Sequence, residues 1–271
     1  MALVVLFVVL YFSLPCIYAY CFLDWNTIRY VERQRTLEDR AFEVPCLQGR
    51  SVLIRRYGSP DSSYCVVFFS GQHGGIPGYE KPLFRDMVHA GLTVYALSYP
   101  GQDGASGKSR LSTVGEDVAT ALDTLDALMF GKLKSAVFVG RSLGATVAVF
   151  EAERFHPKAL LLDGVSPSLS DAIRAQASKH WFTYLWSYLP FESLLTNQYD
   201  IVSPLEKLRE VPVWIFQGSC DDTAPLSNIN TMLNAMPHIN LEVVQKGDHG
   251  DIYKVDHEKY ISVLLQLAHQ R

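Results

Sequence analysis

Hydrophobic residues fall along this chain in three regimes. Residues 1–23, MALVVLFVVLYFSLPCIYAYCFL, form one apolar run with no charge before Asp24, interrupted only by Ser13 and Pro15. From about residue 40, short apolar runs alternate with amphipathic stretches. AFEVPC (41–46) and SVLIRRY (51–57) read as opening strands around a Gln48-Gly49 turn, and CVVFFS (65–70) has the length of a buried strand. After the Gly-rich loop 71–78 come a helix over 79–90, a strand over 92–99, an amphipathic helix over 112–129 and a strand over 135–140. A helix from about Gly144, strands over 159–163 and 211–218, a helix over 226–236, a strand over 239–244 and a helix from about His257 complete the series. The third regime is an interruption. Between about 168 and 198 the alternation fails, and KHWFTYLWSYLPFESLL carries Trp181, Phe182, Tyr184, Trp186, Tyr188 and Phe191, which reads as a helical insertion.

Repeated strand-helix alternation with apolar strands predicts an α/β fold with a mostly parallel sheet covered by helices on both faces. The expected organisation is one catalytic-size domain over 40–271 carrying a cap insertion at 168–198, a linker over 24–39, and an N-terminal segment 1–23 outside the folded body. As a helix rising ~1.5 Å per residue, that segment would run roughly 35 Å, enough for a hydrocarbon core of ~30 Å. No Lys or Arg precedes the run, and Ile17-Tyr18-Ala19 is a poor cleavage site, so a retained single-pass anchor is favoured over a cleaved signal or a buried or interfacial helix. Arg29, Arg33, Arg35 and Arg40 follow the run, a bias that places the body on the cytoplasmic face. The absence of an Asn-x-Ser/Thr acceptor and the three Cys beyond the run (Cys46, Cys65, Cys220) lean the same way.

Composition narrows the classes. The 271 residues are 48% hydrophobic and carry 24 Lys+Arg against 28 Asp+Glu, a formal net charge of -4. A large core is affordable, disorder is excluded, and no basic surface exists for general nucleic-acid binding. The five Cys include no CxxC pair, so neither a zinc finger nor a redox motif is present.

The sharpest chemical signal is Gly140-Arg141-Ser142-Leu143-Gly144, directly after the strand AVFV and directly before the helical ATVAVFEAERF. A G-x-S-x-G at a strand-to-helix turn presents the Ser hydroxyl above the sheet, flanking glycines remove Cβ atoms that would clash, and the free N–H groups of the helix start favour negative charge. A Ser hydroxyl needs a base and a group to orient it. His249, in KGDHGDIY after the last strand, can reach over the carboxyl ends of the strands, where sites in open α/β sheets lie. Asp221, in GSCDDTAP straight after VWIFQ, is the expected orienting acid, with Asp222 and Asp163 as rivals.

The order Ser142, Asp221, His249 resembles that of α/β-hydrolase-fold serine hydrolases. From about Val52 to the C-terminus the chain is similar to membrane-anchored lipid and acyl-ester hydrolases of that superfamily, in VFVGRSLGATVAVF, VPVWIFQGSCDDTAP and the G-x-H-x-D end KGDHGD. The resemblance implies an oxyanion hole built from the backbone N–H of Leu143 and one from the Ser70-Gly71-Gln72-His73 loop, where Gln72 is expected and His73 is the alternative. It departs from many relatives in having Ser70-Gly71 where they carry His-Gly, and Ala145 in place of a third Gly. The expected activity is hydrolysis of a carboxylic ester or thioester of a small-molecule or lipid acyl substrate, with no metal or organic cofactor. Three alternatives stand beside it. A serine peptidase uses the same residues, and a catalytically silent fold would only bind. The stretch 98–109 ends in Gly-Lys-Ser like a phosphate-binding loop, but Gln102 occupies the position that needs the first Gly. That stretch is expected to be a flexible connection bordering the rim.

Overall fold

The computed structural model describes residues 2–29, 40–195, 197 and 199–270. Among them, strands β1 (Ala41–Pro45), β2 (Ser51–Tyr57), β3 (Cys65–Phe69), β4 (Thr93–Ser98), β5 (Val137–Arg141), β6 (Ala159–Asp163), β7 (Val213–Gly218) and β8 (Asn240–Val244) form one sheet. Their order is β1-β2-β4-β3-β5-β6-β7-β8. Every strand read from the apolar runs is present. β1 and β2 pair antiparallel, as do β2 and β4, whereas β3 to β8 are parallel, with Val67 beside Tyr95 and Val139 beside Leu161. The order turns back between β3 and β5, so a crevice opens at the carboxyl ends of these two strands.

The two-residue period of each strand sorts its side chains onto two cores. Val66, Phe68, Val94, Val137, Val139 and Leu161 point to one face, where Met87 of α3 (Arg85–His89), Tyr253 of α10 (Ile252–Val255) and Leu264 of α11 (His257–His269) cover them. Val67, Phe69, Leu97, Phe138, Leu160 and Leu162 point to the other, under α4 (Leu111–Leu128), α5 (Leu143–Phe155), α8 (Val202–Lys207) and α9 (Leu226–Leu233). Burial on both faces explains why these strands are continuous apolar runs and not alternating ones.

The insertion folds as α6 (Leu169–Ser178), a 3-10 turn over Tyr184–Tyr188 and α7 (Phe191–Leu194). Ser168 caps α6 by accepting the Asp171 N–H at 3.1 Å. The helix expected over 79–90 is broken: Ile76–Tyr79 is 3-10, Glu80–Phe84 is a kinked turn, and only Arg85–His89 is α-helical. Pro82 removes an N–H from that stretch and Lys81 before it is extended, which Pro favours.

At the N-terminus, α1 (Ala2–Cys21) is followed by a short helix α2 (Leu23–Asn26). Leu3–Cys21 is the one helix among the described residues long and apolar enough to cross a membrane, a test that a signal sequence also passes. The segment was expected to stand outside the folded body, yet α1 contacts α7 of the cap and α2 contacts α4. The expected linker over 24–39 falls largely on residues 30–39, outside the described residues.

Inside this frame Glu151 is a misfit: it lies on α5, 6% exposed. Burial pushes its carboxyl up to about 7, with Arg154 opposing and Asp123 reinforcing the shift. A carboxyl that holds its proton more tightly folded than unfolded lowers stability as pH rises through the window from about 4.5 to about 7, and the penalty is constant above it. Glu151→Gln should therefore match the wild type near pH 4 and exceed it by up to about 3 kcal/mol at pH 8. Urea unfolding at the two pH values checks this; an equal difference at both would mean the carboxylate is not desolvated.

Candidate active site

The carboxyl end of β5 turns directly into α5 at Ser142, whose backbone is held at φ 54 and ψ -122. A positive φ is strained for a residue with a Cβ, and the surroundings enforce it. A Cβ on Gly140 would lie 2.5 Å from Ala145 Cα, and one on Gly144 only 2.1 Å from the Phe69 carbonyl oxygen. The turn therefore closes only with glycine at both positions. Ser142 N–H donates to the Asp163 carbonyl at 2.8 Å, and the Ser142 carbonyl accepts from Ala145 N–H at 2.9 Å. The N–H groups of Leu143 and Gly144, in the first turn of α5, have no carbonyl one turn back within the helix.

Three loops at the same sheet edge then converge. His249, after β8, places Nε2 2.9 Å from Ser142 Oγ, and its Nδ1 lies 2.8 Å from Asp221 Oδ2, after β7. Asp221 is 4% exposed and richly solvated by protein: Oδ1 accepts the N–H groups of Thr223 at 2.9 Å and Ala224 at 2.7 Å, and Oδ2 accepts Gln217 Nε2 at 3.2 Å. A carboxylate with that many donors is held in a fixed orientation. It in turn calls for the His249 tautomer with its proton on Nδ1, which leaves Nε2 free to accept the Ser142 hydroxyl.

The rival acids go elsewhere. Asp222 is exposed and pairs with Lys179 at 2.8 Å, just after α6; this hydrogen bond holds its carboxyl below the usual range. Asp163, at the end of β6, is buried, with Arg141 Nε 3.9 Å away and no hydrogen bond to His249. Burial pushes its carboxyl up to about 6, against the pull of Arg141 and His249.

The loop expected to complete the oxyanion site lies against Ser142. A Cβ on Gly71 would be 3.6 Å from Ser142 Cβ, and Gln72 lines the same cavity as Ser142, Leu143 and His249, whereas His73 is exposed and does not. The Gln72 carbonyl accepts from Arg29 N–H at 2.9 Å and Gln102 Nε2 at 3.3 Å. Here one expectation needs correcting. The stretch 98–109 is not a flexible rim: Gln102 and Asp103 are completely buried, and Asp103 Oδ2 accepts from Ser98 Oγ at 2.7 Å and Ile76 N–H at 3.1 Å. Gln102 Nε2 holds the Gly71-Gln72 loop in place by donating to its two carbonyls at 3.5 and 3.3 Å, while Gly104, Ser106, Gly107 and Lys108 of the stretch are exposed.

Some residues at the site had no earlier assignment. Gly164, at φ +65, lies beneath the imidazole, where a Cβ would come within 3.1 Å of His249 Cε1. Arg141 donates from one guanidinium nitrogen to the His249 carbonyl and from another to Tyr79 Oη at 3.2 Å, and stacks beside Tyr253. Gln217 ties Asp221 to the neighbouring loop by donating to the Ala224 carbonyl and accepting the Val165 N–H at 3.0 Å. A polar side chain at the end of an otherwise apolar strand, the guanidinium of Arg141 and the amide of Gln217, was the available signal.

Comparison with known proteins agrees with this architecture. A model of the alpha/beta hydrolase family matches residues 66–259, well over half of the chain. The chain belongs to the alpha/beta hydrolase family. Two uncharacterized proteins of Mycobacterium tuberculosis are each 28% identical over 162 residues, covering 59% of this chain and 54% of theirs, so the chain spans about half the length of the curated relatives it matches. Among solved structures, the Pyrococcus furiosus esterase Pf2001 superposes with a TM-score of 0.69 at 16% identity, over 89% of this chain and 95% of that one. A carboxylesterase structure from Nitrososphaera gargenis gives 0.62 at 16% identity, over 84% of this chain and 98% of that one. The thioesterase domain from the curacin biosynthetic pathway gives 0.59 at 13% identity, over 84% and 98%. At these identities the likeness concerns the fold.

The glycine contacts carry a prediction that does not depend on chemistry. Gly144→Ala drives a methyl group into the Phe69 and Ser70 carbonyl oxygens, which belong to a central strand and the loop after it and cannot retreat. It should lower unfolding stability by roughly 2–4 kcal/mol, seen as a reduced Tm or urea midpoint. Wild-type stability in this variant would contradict the tight turn.

Proposed function

We propose that this alpha/beta hydrolase cleaves a carboxylic ester or thioester of an acyl-chain substrate through an acyl-enzyme formed on Ser142. The observation that carries the reading is the unbroken relay from Ser142 Oγ to His249 at 2.9 Å and from His249 to Asp221 at 2.8 Å. His249 Nε2 takes the hydroxyl proton as Oγ attacks the carbonyl carbon, and returns it to the leaving alkoxide or thiolate. Water then attacks the acyl carbon as His249 removes its proton; the bond to Ser142 Oγ breaks, Oγ takes the proton back from His249, and the acyl group leaves as the carboxylic acid. Asp221 keeps the imidazole oriented and stabilises its charged form while the proton is in transit.

The oxyanion of each tetrahedral intermediate is received by the Leu143 N–H, at the positive end of the 13-residue helix α5, and by the Gln72 N–H across the crevice. Each such donor is worth on the order of 10²–10³ in rate. Substrate class is supported by the space around Ser142. A cavity of about 810 Å³ opens between the sheet edge and the cap, and Leu169, Ile173 and Trp186 of the cap give it an apolar lining suited to a hydrocarbon chain. The apolar helix α1 supports attachment to a membrane, where acyl esters are concentrated.

A fluorophosphonate probe should label the wild-type protein and fail to label Ser142→Ala. On a panel of acyl esters, thioesters and peptides, Ser142→Ala should lose at least about 10³-fold in kcat, and Asp221→Asn about 10³–10⁴-fold through the wrong imidazole tautomer. Labelling that survives Ser142→Ala would remove Ser142 as nucleophile. Turnover of peptides alone would make the enzyme a peptidase, and no turnover with no labelling would leave a binding fold.

A further inference from the structure

The cavity that holds Ser142 is not closed by the hydrolase body and cap alone, because α1 supplies one of its walls. The outer half of α1, from Leu3 to Leu10, is exposed along every side. From Tyr11 onward one side of the helix meets the cap, while Leu14 and Tyr18 stay 57% and 47% exposed along the open cavity. The Tyr11 ring sits 5.3 Å from Phe182 and 5.4 Å from Trp186, and its hydroxyl donates to the Phe182 carbonyl. Two adjoining rows spaced four residues apart, Leu14-Tyr18-Phe22 and Pro15-Ala19-Leu23, then line the cavity that Ser142, Leu143 and His249 line from below.

The segment that follows is tied to the body as well. Asp24 accepts the N–H of Ser112 at 2.6 Å and its hydroxyl at 3.0 Å, at the start of α4. Arg29 N–H reaches the carbonyl of Gln72, the residue placed at the oxyanion site. A mere tether would need none of these contacts. The helix is therefore fastened to the cap at one end of the cavity and to the catalytic loop at the other.

We propose that Leu14, Pro15, Tyr18 and Ala19 of α1, continued by Phe22 and Leu23 just beyond its end, form the acyl-chain subsite, so that the N-terminal helix selects substrates as well as attaching the protein. This rests on the acyl-serine reading above. An unbranched acyl chain whose carbonyl lies at Ser142 runs along this face, opposite Leu169, Ile173 and Trp186 of the cap. From Leu14 to Cys21, its last residue, α1 advances ~10 Å, far more than an acetyl group can cover. Each methylene removed from water there is worth about fourfold in kcat/KM. Discrimination by chain length thus resides in a helix remote in sequence from the catalytic residues.

The test uses the full chain in detergent, with butyryl and dodecanoyl 4-nitrophenyl esters. Leu14→Trp and Ala19→Phe narrow the subsite; Leu6→Trp, on the exposed outer half, is the matched control. In either narrowing variant the dodecanoyl-to-butyryl ratio of kcat/KM should fall at least tenfold, and in Leu6→Trp it should equal that of the wild type. A second measurement needs no catalysis: a fluorescent long-chain fatty acid should bind Ser142→Ala at least tenfold more tightly than Ser142→Ala/Leu14→Trp. An unchanged ratio together with unchanged fatty-acid affinity overturns the α1 subsite while leaving the ester reading intact. Fatty-acid binding that is weakened by Leu14→Trp, in a protein that hydrolyses no ester, sinks the catalytic reading and upholds the subsite.

Discussion

Ser142 holds a backbone conformation, φ 54 and ψ -122, that a residue with a side chain adopts only when its neighbours leave no alternative. Strain of this kind costs on the order of 1–3 kcal/mol, so something must hold it. Here the constraint is close packing between α5 and the central strands, where Gly144 presses on the Phe69 and Ser70 carbonyls and Gly140 on the first turn of the helix. The sheet order around this point is part of the same constraint. Because it reverses between β3 and β5, the loop after β3 lies beside Ser142 and can bring Gly71 and Gln72 against it.

Two buried carboxyls at one sheet edge show how environment, not residue type, assigns a role. Asp221 is met by backbone N–H groups, an amide and an imidazole, all offering hydrogens to its oxygens. Asp163, on the adjacent strand, has only the guanidinium of Arg141 nearby, at 3.9 Å, and burial raises its affinity for a proton. The first environment fixes the carboxylate in place beside a histidine. The second gives Arg141 a counter-charge, while Arg141 in turn holds the His249 main chain by its carbonyl. Under the proposed mechanism, Asp163 thus acts on the relay only through what it positions.

Two polar brackets hold the mouth of the site. Lys179 links the end of α6 to Asp222 and Thr223, beside Asp221, so the cap is fastened to the loop that carries the acid. Gln102 fastens the Gly71-Gln72 loop from below through its amide. The residues that make these contacts are individually ordinary, and each fixes a loop that carries a group the chemistry would use. Apolar surface does the remaining work, with the aromatic cap and α1 packing ring against ring at Tyr11, Phe182 and Trp186.

All eight strands, the burial of the inner ones on both faces and the strand-turn-helix around Ser142 could be read from the order of residues, because the periods of apolar side chains and the steric needs of glycine are local properties. The same holds for the helical character of the insertion and for the length of the N-terminal apolar helix. Which of Asp163, Asp221 and Asp222 meets His249 could not, since all three lie at strand ends and only the packing of separate loops brings His249 against one of them. Nor could the buried brace at Gln102 and Asp103, whose Gly-rich polar stretch has the composition of a mobile loop until its side chains find partners from 30 or so residues away. The placement of α1 belongs to the same class: an apolar helix is equally consistent with lipid, solvent exposure or a cavity wall, and the cap against which Tyr11 packs is 171 residues further along the chain. Contacts at such separations depend on the closed fold, and no local pattern encodes them.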